Sequence, residues 1–470
     1  MEAVKGRITS KLLKSEDTVR ENARKRRRIG LLGMAAASAV CLQMNHRALG
    51  ATETWTAASG NWSTASNWNS GSGPVPGAGD TVDITNADGT SRTIAYNYSG
   101  PAITLGYLTI DNDGAGTNTL SMTSAGTALS AAIEELGNSN SSVFPGWGVL
   151  IQSAGSNTLT NSLYLGYGAA DAGFYTLSGT GSLTTTYNGF LKPGNEYLGW
   201  SGTGSFNQTG GSNTVGGALW LGFSTGSSGT YNLSGTGSLS ATGNAIVGGS
   251  DSGGGGTGLL TVSSAAQLTV AGTLTVNSSG RVNINGGTSK VGSLSIATGG
   301  VVNVNDALFI NYGSGADPIA TIASYIESGY NGGHWNGPGI ISTTAQTPTN
   351  GLRYAVGYAD GKDGKVSGLS SGQIEVKYTL LADANLDSLV NAADFTILAA
   401  NFNQLATGWD QGDFNYDGIV NAADFTDLAA NFNQAASGAA SAGDVAALDA
   451  FAAANGLLAD VPEPASLALF

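Results

Sequence analysis

Between about residue 150 and residue 305, apolar and polar positions alternate in runs of four to six residues, and glycine-rich turns close the runs every 8 to 12 residues. A period of two places one side of each run on a buried face, so these runs predict short β-strands. Strands this short cannot bury an apolar face alone and must stack on neighbours. One pattern recurs: an aromatic residue, then Leu-Gly-aromatic, a Gly/Ser loop, and a short alternating run ending in Gly. The clear copies are Tyr164-Leu165-Gly166-Tyr167, Tyr197-Leu198-Gly199-Trp200 and Trp220-Leu221-Gly222-Phe223, with Ile246-Val247-Gly248 as a degenerate fourth; their glycines are 33, 23 and 26 residues apart. Between them, Tyr175-Thr-Leu-Ser-Gly-Thr-Gly-Ser-Leu183 and Tyr231-Asn-Leu-Ser-Gly-Thr-Gly-Ser-Leu239 are nearly identical. Later runs up to Val304 lose the aromatic residues and keep the alternation.

Unequal loops set between constant strand cores favour a mainly β fold built as a right-handed β-solenoid, β-helix-like, with inward Leu, Val, Ile and Tyr forming one long core. A sandwich of two antiparallel sheets is the runner-up, since it tolerates the same alternation. The Leu-Gly-aromatic and Tyr-x-Leu-Ser-Gly-x-Gly-Ser-Leu steps resemble the β-repeats of autotransporter-like and PEP-CTERM-associated secreted proteins. That resemblance covers roughly a third of the chain and implies an architecture, not a substrate.

Near the C-terminus the period changes. Two stretches place oxygen-bearing residues at the offsets of a calcium loop. Asp383, Asn385, Asp387, the carbonyl of Leu389, Asn391 and Asp394 stand at loop positions 1, 3, 5, 7, 9 and 12; Asp413, Asn415, Asp417, the carbonyl of Ile419, Asn421 and Asp424 repeat them. Alternate residues of a tight loop aim their oxygens at one centre, which suits the six or seven hard ligands of Ca²⁺ better than the strict octahedron of Mg²⁺. An acidic turn that merely caps a helix is the plainer alternative. It loses ground because Asn391–Gln404 and Asn421–Gln434 agree at 13 of 14 positions. Both are expected to be helices with Phe395, Leu398, Ala399 and Phe402, or Phe425, Leu428, Ala429 and Phe432, on one apolar face. These faces should meet across a pseudo-twofold axis, with a third amphipathic stretch, Val445–Ala454, alongside.

This region resembles a type I dockerin, a small α-helical EF-hand pair in which Asp closes each calcium loop. The resemblance implies two Ca²⁺ ions and a cohesin-like protein partner. Two features depart from the family: Ser388 stands where loop position 6 expects Gly, and the linker Leu405–Gln411, with Trp409, is longer. A positive φ at Ser388 should cost about 1 kcal/mol, so the first site is expected to be the weaker.

Charge and composition sharpen the picture. The chain has 470 residues and 72 glycines, and only 11% of it is charged where a soluble globular chain carries roughly 25%. This is not the composition of an ordinary α/β enzyme. Eleven of the 19 basic residues and four of the 33 acidic ones fall within residues 1–50, leaving eight bases against 29 acids in the rest. A polyanion of this kind repels phosphate backbones, which argues against nucleic-acid binding and for divalent cations. The basic cluster Arg24–Arg28, the apolar stretch Ile29–Leu42 and the small-residue pattern Ala48-Leu49-Gly50 read as a secretory signal. At about fourteen residues the apolar stretch is too short for a membrane span. The only cysteine, Cys41, lies within it, so export without disulfides is expected. Val461-Pro-Glu-Pro-Ala-Ser-Leu-Ala-Leu-Phe470 resembles the start of a PEP-CTERM sorting signal.

The expected organisation is therefore a signal peptide at 1–50, an N-terminal β region and solenoid cap at 51–150, solenoid repeats at 151–310 and a connector with short strands at 311–380. A dockerin-like calcium module at 381–460 and the sorting signal at 461–470 follow. Trp55, Trp62 and Trp68 suit a cap over the first coil better than a sugar-stacking platform. Polysaccharide cleavage in a solenoid groove is the alternative function, and it needs converging carboxylates or a base with Arg or Lys. In the repeats the charged residues are Asp171, Lys192, Glu196, Asp251, Arg281 and Lys290, spread over several coils. Lys192 and Glu196 are expected as a solvated pair, and no catalytic constellation emerges. A secreted attachment protein, bound to a cohesin-like domain or to envelope or extracellular polysaccharide, is the leading expectation.

Overall fold

The computed structural model describes residues 50–457 apart from residue 72 and the segments 140–144, 190–192, 349–350, 406–407 and 436–444. The signal expected before Gly50, the sorting signal expected from Val461, and Lys192 lie outside the described residues. The fold is mainly β, a solenoid of about nine turns. Its strands form two long sheets, and the chain contributes alternately to one and the other. Neighbouring coils pair in parallel: Ala172 lies opposite Thr203, Thr203 opposite Ser228, and Ser228 opposite Thr257. Parallel pairing along the whole stack excludes the antiparallel sandwich.

The ladder starts earlier than the repeats in the sequence. Thr52–Thr54 pairs in parallel with Thr81–Asn86, which pairs with Leu105–Asn112, so the segment 51–150 supplies coils of its own. Trp55, Trp62 and Trp68 are fully buried inside the first of them. Their rings meet edge to face at 5.1 and 4.9 Å, and the Trp68 indole N–H donates to the Trp62 carbonyl at 2.8 Å. No ring face is open to a sugar.

Two stacks of aromatic side chains run along the solenoid. Tyr175, Phe206 and Tyr231 point inward and lie face to face at 4.8 and 4.6 Å, the spacing of paired strands. A second cluster lies outside the core. Tyr164, Tyr197 and Trp220 point away from it, and Tyr167, Trp200 and Phe223 fold over them edge to face. Inward tyrosine is thus only half the pattern: the motif leucines Leu165, Leu198 and Leu221 enter the core, while the aromatic residues beside them form a separate ridge. The motif glycine has a physical cause. Gly166, Gly199 and Gly222 have φ of 65°, 72° and 74°, and a Cβ on each would strike the carbonyl oxygen of Thr203, Ser228 and Thr257 on the next coil.

Beyond Val301–Val304 each sheet gains one more parallel strand, Ala307–Asn311 in the larger and Gly339–Ile341 in the smaller. Helix α1 (Ile319–Tyr330) and the short α2 (Thr343–Gln346) flank Gly339–Ile341, the last strand of the smaller sheet. The larger sheet then reverses, with Gln373–Leu380 antiparallel to both Ala307–Asn311 and Tyr354–Asp360. Residues 311–380 therefore close the growing end of the ladder. Helices α3 (Ala392–Asn401), α4 (Ala422–Asn431) and α5 (Val445–Asn455) follow. None of the described helices is long and apolar enough to cross a membrane.

The inner stack should dominate stability. Phe206→Ala is expected to cost about 3–5 kcal/mol, and removal of the exposed Tyr187 ring less than about 0.5 kcal/mol, as read from urea denaturation midpoints at constant m.

Candidate metal centre

The two acidic loops are the same structure built twice. In the first, Asp383 accepts from the backbone N–H of Asp387 (3.0 Å) and Ser388 (2.8 Å); in the second, Asp413 accepts from Asp417 (3.1 Å) and Gly418 (3.0 Å). Asn385 Nδ2 donates to Asp387 at 3.0 Å, and Asn415 Nδ2 to Asp417 at 3.1 Å. Asp394 accepts from the N–H of Ala384 and Asn391 at 2.8 and 2.9 Å, and Asp424 from Phe414 and Asn421 at the same distances. Asn391 and Asn421 cap their helices, each accepting from the second residue that follows, and Asp394 and Asp424 complete the capping boxes. The side chains of Leu389 and Ile419 are exposed, and Asn421 Nδ2 reaches the Ile419 carbonyl at 3.3 Å. All twelve expected donor residues thus fall in two compact loops.

At loop position 6, φ is 70° for Ser388 and 83° for Gly418, so serine occupies the left-handed conformation that glycine adopts without strain. The helices are shorter than their periodicity suggests. Both stop at Asn401 and Asn431, because Phe402 and Phe432 turn extended and Asn403 and Asn433 are left-handed. The chain then forms two-residue bridges: Gln404–Leu405 pairs with Ile419–Val420, and Gln434–Ala435 with Leu389–Val390. Each loop is therefore paired with the exit of the other loop's helix. Asn401 Nδ2 donates to the Gln411 carbonyl (2.9 Å) and Asn431 Nδ2 to the Leu381 carbonyl (2.9 Å), two residues ahead of the opposite loop. These reciprocal ties are the pseudo-twofold relation. Phe451 of α5 packs against Phe395, Phe402 and Phe425 at 5.1–5.6 Å.

The loops are bolted to the end of the solenoid. Trp409, in the long linker, is fully buried and donates from Nε1 to the Asp383 carbonyl at 2.6 Å. Tyr416, in the second loop, donates to the Val356 carbonyl at 3.0 Å and packs against Tyr330. Thr379 donates to the Asp383 carboxylate, and Lys377 Nζ to the Leu386 carbonyl at 2.5 Å. The sequence pattern did not single out these tethers, whose partners lie up to 60 residues away; the second helix's one departure, Asp427 for Ile397, was a signal, since Asp427 meets Arg353 at 3.5 Å.

Cationic compensation in the loops is slight: burial outweighs the lowering that Lys377 exerts on the Asp383 carboxyl. Burial pushes the carboxyls of Asp383 and Asp413 up to about 6 and that of Asp394 up to about 7, and neighbouring carboxylates add to the rise. Asp413 and Asp417 share a cleft of about 410 Å³ with Glu327, Asp363 and Asp410. The first loop faces a cleft that includes Lys377. Among the described residues, no three His, Cys, Asp or Glu side chains gather closely enough to hold a metal by themselves. Each loop instead offers three carboxylates with asparagine and carbonyl oxygens. That oxygen-only, anionic donor set suits a hard divalent cation.

The charged residues of the repeats do not form a second centre. Asp171 is buried and accepts from the N–H of Ser139 and Gly146, both at 2.8 Å. Glu196 is a correction to the expected solvated pair, for it is fully buried inside the solenoid. Arg281 and Lys290 lie on outward positions of different sheets. No protein-family model, curated protein or solved structure matches the chain.

Relief of the left-handed strain is directly testable. Ser388→Gly should stabilise the chain by about 0.5–1 kcal/mol, whereas Gly418→Ser should destabilise it by a similar amount, both read as shifts in denaturation midpoint.

Proposed function

We propose that the chain is an exported, surface-associated β-solenoid whose dockerin-like C-terminal module binds two calcium ions and serves attachment, with a cohesin-like protein domain or envelope or extracellular polysaccharide as partner. The observation that carries this reading is the duplicated loop, in which the hydrogen bonds of Asp383, Asn385, Asp387 and Asp394 recur at Asp413, Asn415, Asp417 and Asp424. Asp383, Asn385, Asp387, Leu389 through its carbonyl, Asn391 and Asp394 would hold one ion. Asp413, Asn415, Asp417, the Ile419 carbonyl, Asn421 and Asp424 would hold the other. Calcium would neutralise buried carboxylates that otherwise repel one another, so its binding energy would add to folding energy. Export is supported by the basic cluster and apolar stretch before residue 50.

The shared core gives calcium a second consequence. Asp383, Leu386 and Tyr416 tie the loops to Thr379, Lys377 and Val356 of the closing sheet, so metal bound there would brace the end of the solenoid as well as the attachment module.

Calorimetric titration of the whole chain should show two calcium sites of unequal affinity, the second loop being tighter because it has Gly418 and no neighbouring lysine. Asp413→Ala should remove the tighter site, and chelator should lower Tm. Absence of binding heat, or two sites surviving in Asp413→Ala, would contradict the metal assignment. Capture by the cell envelope fraction in calcium but not in chelator tests attachment, while release of reducing sugar from a polysaccharide panel would instead favour catalysis.

A further inference from the structure

The solenoid interior holds two copies of one chain of polar side chains, and the direction of its hydrogen bonds fixes a protonation state. In the first copy Gln152 Nε2 donates to the carbonyl oxygens of Gly155 and Ser182, both at 3.0 Å. Carbonyls only accept, so the orientation of this amide is set, and Gln152 Oε1 accepts the Tyr175 hydroxyl proton at 2.6 Å. The tyrosine has no second proton, and its oxygen accepts from Asn157 Nδ2 at 3.2 Å. The same Asn157 nitrogen donates to Glu134 Oε2 at 2.9 Å. Both asparagine protons are then used. Asn157 Oδ1 and Glu134 Oε1 are left buried with no partner.

The second copy repeats each step. Gln208 donates to Gly211 and Ser238 at 3.1 and 3.0 Å, Tyr231 to Gln208 at 2.6 Å, and Asn213 to Tyr231 and Glu196 at 3.1 and 2.9 Å. The same two oxygens, Asn213 Oδ1 and Glu196 Oε1, lack partners. Turning either asparagine over would aim its oxygen at a tyrosine oxygen whose proton is already committed, and at a carboxylate. A proton on the free glutamate oxygen would supply the one donor that the site lacks, and the unpartnered asparagine oxygen is an acceptor on the same side chain that already bonds the other glutamate oxygen.

We propose that Glu134 and Glu196 are built into the fold as neutral carboxylic acids, each paired at two points with Asn157 or Asn213, making these coils a proton-dependent element of the solenoid. Both side chains are fully buried, and burial pushes their carboxyls up to about 7 and about 8. The titratable groups that face them are each other and the buried phenols of Tyr96, Tyr175 and Tyr231. Among the described residues no Lys, Arg or His takes part. An unfolded glutamate ionises near its ordinary value while the folded one keeps its proton. The stabilisation is therefore complete below about pH 4.5 and is lost as pH rises through about 7 to 8.

Glu134→Gln with Glu196→Gln tests this in the whole chain, because glutamine puts a permanent N–H donor where the acid would carry its proton. At fixed calcium, wild-type Tm should fall by several degrees between about pH 6 and pH 9, and the double variant should fall less. Asp111 and Glu135 also titrate high, so the difference between the two curves is the readout. Parallel curves would overturn the proposal. Should the double variant not fold, the carboxyl carbon signals of glutamate-labelled wild type decide. Two glutamates besides Glu135 should stay protonated above about pH 6. One or none besides Glu135 would sink the idea.

Discussion

Parallel backbone pairing between successive coils forces every inward side chain to sit over its counterpart about one strand spacing away. From that constraint follow the face-to-face stack of Tyr175, Phe206 and Tyr231, the leucine columns beside it, and the glycine after each motif leucine. Like residues stack on like because neighbouring coils must fill the same cross-section. A polar residue on an inward position has no water to turn to and must find its partners in adjacent coils. Hence the Gln-Tyr-Asn-Glu chains: apart from the local Gln152–Gly155 and Gln208–Gly211 bonds, their bonds join residues 17 to 30 positions apart.

A ladder of this kind exposes unpaired backbone at its ends and would otherwise continue by recruiting another chain. At the far end the strand direction reverses, and Gln373–Leu380 and Tyr354–Asp360 carry the acidic loops against their outer side. The C-terminal helices therefore share one core with the solenoid through Trp409, Phe414 and Phe425. Any ligand that orders these loops acts on the closure of the stack, and any partner that grips them pulls on the solenoid itself.

Nine of the 29 acidic residues beyond residue 50 are gathered where a cation can answer them, in the two loops and the cleft beside the second. The interior glutamates follow the opposite logic. With no counter-charge near them, the fold accommodates them by hydrogen bonding, and two copies two coils apart give the same solution.

Alternation with period two, the Leu-Gly-aromatic step and the duplicated calcium-loop spacing were enough to reach strands, stacked coils, and two loops each followed by a helix, because backbone periodicity and loop stereochemistry are local properties. The interior network also left a trace, Gln152-Ser-Ala-Gly-Ser-Asn157 and Gln208-Thr-Gly-Gly-Ser-Asn213, which goes unread until the coils are superposed. Alternation does not say which of two faces is inner, so Glu196 looked like a surface residue and Tyr164 and Tyr197 looked like core. Nor did it reveal that the ladder begins at Thr52, since the early coils keep only fragments of the repeated step, Leu105-Gly106-Tyr107 and Leu136-Gly137. Those assignments, the left-handed stop of each helix at Asn403 and Asn433, and the bolting of the loops to the closing sheet depend on contacts between residues far apart in sequence, and only the tertiary structure decides them.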